Sequence, residues 1–137
     1  MMPLALKSFP DDPARVPNIY GVRGAGDCME PLIPEGSDHC FTKLQVPQAG
    51  DVVAVWFAPH VFTSGGHVRC KLLVASDAQT VDLVMLNPFT RVRFQRVDIL
   101  AMHKCFAISE PNGQAHWMHE RLQGLTLHRR TTNVLSS

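Results

Sequence analysis

The run Asp51-Val52-Val53-Ala54-Val55-Trp56-Phe57 constrains this chain most. After Asp51 every residue is apolar, and most are β-branched or aromatic, which favours an extended strand. Successive strand residues point to opposite sides, so a strand apolar throughout must be covered on both faces. The same style recurs from Ile19 to Arg23, His39 to Lys43, Gly66 to Val74, Thr80 to Leu86 and Val97 to Ile108. Turn chemistry at Ser64-Gly65-Gly66, Asp77 and Asn87-Pro88 separates the later segments. Several short strands joined by turns predict a mainly β fold, one compact domain with its strands in a partly closed, barrel-like arrangement. Helix is expected only in short pieces, at Met29 to Ile33 and Gln114 to Gln123.

Three stretches follow from this pattern. Residues 1–17, punctuated by proline and carrying Asp11-Asp12, are expected to form an irregular arm. Residues 18–109 hold the β domain. Residues 110–137 form a C-terminal extension with a short helix and a tail that frays from Leu125 onward.

Composition narrows the function classes. The chain has 137 residues, 45% hydrophobic and 18% charged, which suits one folded domain with a single core. A net charge of +1 leaves no electrostatic footprint for nucleic acid or an anionic membrane surface. Arg91, Arg93 and Arg96 are a local basic cluster, read as a solvated turn and strand. No apolar stretch approaches the roughly 20 residues that span a bilayer, and the first residues lack a signal-peptide pattern. Cys28, Cys40, Cys70 and Cys105 form no CxxC pair. A cytoplasmic protein with reduced thiols is therefore expected, with Cys40, Cys70 and Cys105 in the core. His103 with Cys105, and His116 with His119, fall short of a four-ligand set, so neither metal nor cofactor is expected. Asp27 and Asp51 are expected to satisfy backbone groups in turns.

One constellation carries chemistry. A nucleophile works best at a sharp turn, where backbone N–H groups can face the reacting carbonyl. Gly24-Ala25-Gly26-Asp27-Cys28 meets that need, with Pro31 suited to the first turn of a short helix. Lys71 lies in His67-Val68-Arg69-Cys70-Lys71-Leu72-Leu73-Val74, where alternation groups it with Arg69 and Leu73. Desolvation disfavours the ammonium form of a buried lysine and so makes it a usable base near neutral pH.

Gly26-Asp27-Cys28-Met29-Glu30-Pro31-Leu32-Ile33-Pro34-Glu35-Gly36 resembles the nucleophile motif of the LexA, UmuD and signal-peptidase family of Ser–Lys peptidases, with cysteine in place of serine. Gly50-Asp51-Val52-Val53-Ala54-Val55 is similar to that family's G-D-[IV]-V-V-V strand. Arg69-Cys70-Lys71-Leu72-Leu73 resembles the strand that supplies its base, though Lys71 is not followed by arginine. Val81 to Pro88 and Val97 to Met102 resemble later strands, so the likeness runs in order from about Ile19 to Ile108. The loop from Ala58 to Gly66 looks longer than the family's. The resemblance implies a LexA-like peptidase domain, of the kind found in SOS-response, phage or plasmid regulators. Cys28 would be the nucleophile and Lys71 the general base. Backbone N–H groups of Gly26, Asp27 and Cys28 would form the oxyanion hole, and Met29 and Pro31 would touch a protein or peptide substrate. It also implies a homodimer through the late strands, here Val97 to Ile108. No helix-turn-helix and no small-residue bond well ahead of the motif are visible, so action in trans or on a partner protein is expected.

Cysteine changes the proton arithmetic. A thiol titrates near 8.5, much closer to lysine's roughly 10.4 than a serine hydroxyl does. A close Cys28–Lys71 pair could rest as thiolate and ammonium, or burial could keep both neutral. Two other readings stand beside the peptidase: a catalytically inactive LexA-like module for dimerisation or protein binding, and a redox-sensitive switch at Cys28.

Overall fold

The computed structural model describes residues 5–6, 8–24, 29–62 and 66–123. Nine strands are described: β1 (Ala5–Leu6), β2 (Ile19–Arg23), β3 (Asp38–Thr42), β4 (Val52–Phe57), β5 (Val68–Ser76), β6 (Thr80–Leu86), β7 (Phe89–Gln95), β8 (Ile99–Ser109) and β9 (Ala115–Trp117). They hydrogen-bond in the order β1-β2-β3-β8-β4-β5-β6-β7, with β9 attached to β8. Only β1 and β2 run parallel; every other neighbour pair is antiparallel. The mainly β domain expected from the sequence is observed, as an open sheet. β1 and β7 are its ends, and among the described residues no pairing joins them into a closed barrel.

The eleven-residue β8 organises the sheet. One edge of its C-terminal half, Lys104 to Ser109, carries β3. Its opposite edge carries β4 along Ile99 to Lys104 and then β9 along Ala107 to Ser109. β4 therefore lies centrally, between β8 and β5, and every residue of it is buried.

Alternation along β4 divides the core in two. Val52, Ala54 and Trp56 face a first cluster with Tyr20, Met29, Leu32, Ile33, Phe41 and Ile108. Val53, Val55 and Phe57 face a second with Leu73, Val81 and Leu83, against which Phe62, Phe94 and Met102 pack. A strand apolar on both faces is thus covered on both, as its sequence requires. A polar chain runs through the first cluster: the Trp56 Nε1–H donates to Tyr20 Oη (3.3 Å), and Tyr20 Oη lies 2.6 Å from His103 Nδ1.

Two strands differ from the sequence expectation, and a third, β7, carries ion pairs the sequence did not show. Ala5–Leu6 extends from the supposedly irregular arm to pair with Gly21 and Val22. Ala115–Trp117 is strand where helix was expected, and helical turns occupy only residues 118–123. β7 was read only as a basic turn and strand; Arg91 and Arg93 both grip the buried Asp82, at 2.6 and 2.7 Å. Those two guanidinium groups hold the Asp82 carboxyl well below the usual carboxylate range. The expected short helix at Met29 to Ile33 is a single turn, closed by the Ile33 N–H donating to the Met29 carbonyl at 2.9 Å. Among the described residues no helix is long and apolar enough to cross a membrane.

Candidate functional site

The chain around the expected nucleophile is held at both stems. On one side, β2 runs out at Arg23, and the Gly24 N–H donates to the Ser37 carbonyl at 3.0 Å. On the other, Met29, Leu32 and Ile33 bury their side chains in the first core cluster. The Arg121 guanidinium, reaching from the C-terminal helical turns, donates to the Leu32 carbonyl (2.7 and 3.1 Å) and to the Pro31 carbonyl (3.2 Å). Gly36, at φ +82°, turns the chain back into β3. The turn at Gly50-Asp51 ahead of β4 is closed as expected: Asp51 Oδ2 accepts the Gln48 N–H at 2.8 Å. Gln79 and Thr80 likewise donate to Asp77.

A cleft of about 470 Å³ opens against these stems. Its apolar wall includes Phe9, Val22, Met29, Ile33, Phe41, Ala54 and Val68, and its polar lining includes Arg23, His39, Arg69, Cys70 and Lys71. Gly26, Asp27 and Cys28, the expected nucleophile and oxyanion hole, lie outside the described residues. The residues on either side of that stretch, Gly24 and Met29, both line the cleft. Of the two expected substrate contacts, Met29 is in the lining, whereas Pro31 is exposed and is not part of it.

Lys71 is half-buried on β5, opposite Val53 of β4, and borders the cleft. Its neighbour Cys70 was assigned to the core from sequence; it lies instead half-buried in the cleft lining. Val68, Cys70 and Leu72 belong with the first cluster, which faces the cleft, while Leu73 belongs to the second. The alternation that groups Lys71 with Arg69 and Leu73 was visible in the sequence; which core that face meets was not. The other two thiols are buried as expected, and desolvation pushes Cys40 up to about 11 and Cys105 well up.

Sequence reasoning missed His39. It sits on β3 opposite Val22 of β2, is 8% exposed, and lines the cleft beside Phe41, whose ring stands edge-on at 6.0 Å. Burial lowers its pKa to about 4 against a smaller opposing influence from Asp38, so the ring is neutral at pH 7. Gly24 makes room for it: a Cβ there would lie 2.5 Å from His39 Cε1. Gly24→Ala should therefore displace the imidazole and cost about 1–3 kcal/mol, as overpacking does. Urea unfolding of the variant checks this, and an unchanged midpoint would contradict the packing described.

His116 and His119 do not share a helix face: His116 is on β9 and meets Glu110, and His119 is on the helical turns. Among the described residues no three His, Cys, Asp or Glu side chains come together to hold a metal ion. No protein-family model, no curated protein and no solved structure matches the chain.

Proposed function

We propose that this chain is a LexA-like peptidase domain whose cleft takes an extended peptide, with Cys28 as nucleophile and Lys71 handling the proton. The observation that carries the reading is that Gly24 and Met29, which bracket the stretch holding Cys28, line the same cleft as Lys71. In this mechanism the Cys28 sulfur attacks the peptide carbonyl carbon as its proton passes to Lys71 Nζ. Nζ then delivers that proton to the leaving amine as the C–N bond breaks. Water hydrolyses the thioester that remains, restoring the thiol and releasing a carboxylate. Backbone N–H groups of Gly26 to Cys28 would hold the oxyanion.

A thiol-alkylation profile tests the dyad. Wild type should show a Cys28 that reacts at lower pH than an ordinary thiol, and Lys71→Ala should move that reactivity up toward pH 8.5. Hydrolysis of a fluorogenic peptide should fall about 100-fold or more in Lys71→Ala, the range of a lost acid–base group. A profile identical in the two proteins, at ordinary thiol reactivity, would remove the dyad.

The position of Cys70 favours a second reading, a LexA-like module that grips a peptide without cutting it. A thiol, rather than an ammonium group, shares the cleft-facing side of β5 with Val68 and Leu72. Peptide binding by a protein that shows no turnover would establish that reading. For self-association, the pairing of β8 leaves residues 99–103 of one edge, and the gap at residues 105–106 of the other, unclaimed by a strand among the described residues. A dimer through the late strands would therefore use one of those short stretches or the exposed Leu100 and Val97.

A further inference from the structure

Two histidines of this chain are buried to the same degree, yet their surroundings differ. His103 is 7% exposed, and its Nδ1 lies 2.6 Å from Tyr20 Oη, which in turn accepts the Trp56 indole N–H. That is a satisfied core histidine. His39 is 8% exposed, and among the described residues its ring makes no hydrogen bond. Its neighbours are Phe41, Val22 across the β2–β3 ladder, and the backbone of Gly24. The nearest carboxylate in sequence, Asp38, is taken by Arg23 at 3.0 Å. Buried polar groups are normally paired, because leaving one unpaired forfeits the hydrogen bonds it had in water. The His39 ring nitrogens are not sealed from solvent, and the ring lines the cleft, whereas Ser37 Oγ, two residues away, is sealed and has no partner among the described residues. Ser37 and His39 flank the start of β3, the same corner to which Gly24 is tied.

We propose that the His39 imidazole is the polar anchor of the cleft, exchanging a hydrogen bond with a main-chain amide of an extended peptide bound there; this rests on the reading of the cleft as a peptide site. A neutral imidazole carries one donor and one acceptor, the same complement that a peptide unit presents. Because the ring is uncharged, it gives no preference to an ionic ligand over an amide. The apolar wall formed by Val22, Ile33 and Phe41 is left to take the side chain next to that amide. Recognition of the main chain by His39 makes binding tolerant of peptide sequence, whereas the wall selects for an apolar residue. The glycine at position 24 is part of the same arrangement, since any side chain there would occupy the space of the ring.

The test uses the full chain carrying Cys28→Ala, so that binding is read without turnover. The probe is acetyl-Ala-Leu-Ala-Gly-Ala-amide, together with a series in which each amide in turn is replaced by an ester. Dissociation constants come from NMR titration. His39→Phe should weaken the parent peptide about tenfold, the loss expected for one hydrogen bond to a group left buried. One ester position should show a similar loss against the His39 protein and none against His39→Phe. His39→Asn, which keeps a donor and an acceptor, should recover part of the affinity. Losses that add independently at every ester position would overturn the anchor while leaving the peptide cleft standing. No binding of any probe to either protein would overturn the peptide reading, and the anchor with it. If His39→Phe does not fold, the ester series measured against His39→Asn decides the same question.

Discussion

Trp56→Ala is expected to remove about 3–5 kcal/mol of stability, the cost of deleting a large aromatic side chain from a sealed core. Trp56 is wholly buried at the centre of the sheet, where β4 lies between β5 and β8. Its ring packs edge-on against Phe9 at 5.2 Å and lies 5.8 Å from both His67 and His103. Its indole N–H donates to Tyr20 Oη, so the deletion opens a cavity and takes a donor from the Tyr20–His103 pair as well. A domain of this size has on the order of 5–15 kcal/mol in total, so the variant should be largely unfolded at moderate urea. Val92→Ala on the outer strand β7, where Val92 is 43% exposed, is the control and should change stability by less than about 0.5 kcal/mol. Urea titration followed by far-UV circular dichroism measures both. Near-equal midpoints would mean that the first core does not close around Trp56. The effect should reach the cleft as well, since Phe9 is part of its lining and rests on the Trp56 ring.

The second large effect is with pH. His39 and His103 are each lowered from an ordinary 6.5 to about 4, chiefly by burial, with the Lys43 ammonium adding to the shift at His103. Below pH 6.5 the unfolded chain takes up protons on these histidines that the folded chain refuses. Their contribution is therefore complete above about pH 6.5 and is lost as pH falls toward 4. Roughly 3 kcal/mol per histidine is the ceiling for a shift of this size. Asp82, held low by Arg91 and Arg93, keeps its charge throughout this interval, so it does not offset the loss. Unfolding free energy measured at pH 7.5, 6 and 5 should drop steadily, and a His103→Gln variant should show a shallower slope. A flat profile from pH 7.5 to 5 would show that neither imidazole is buried neutral.

Much of the sheet was legible because strand formation here is a local matter. Ile19–Arg23 and Thr80–Leu86 are strands with the bounds their alternation suggested, and Val52–Phe57 needed cover on both faces and has it. The strands that escaped notice owe their existence to partners elsewhere. β1 is two residues long and is held by Gly21 and Val22. β9 exists through its ladder with the end of β8. β7 was read as a solvated turn and strand; what escaped notice there is that its arginines are drawn to a carboxylate nine and eleven positions back. None of these attractions has a signature within the segment itself.

The candidate site divides the same way. From the sequence alone came a strand bearing Lys71 and a continuous apolar run at 52–57, because alternation is a property of neighbouring residues; the expected turn at Cys28 lies outside the described residues. Tertiary structure decided that this run separates two cores, and that the face of β5 toward the cleft core carries Cys70 with Val68 and Leu72. It also brought His39 from another strand against Gly24 and into the cleft lining. Those outcomes depend on which strand pairs with which, through β8 lying between β3 and β4, and a pairing across 42 to 71 residues leaves no trace in either segment on its own.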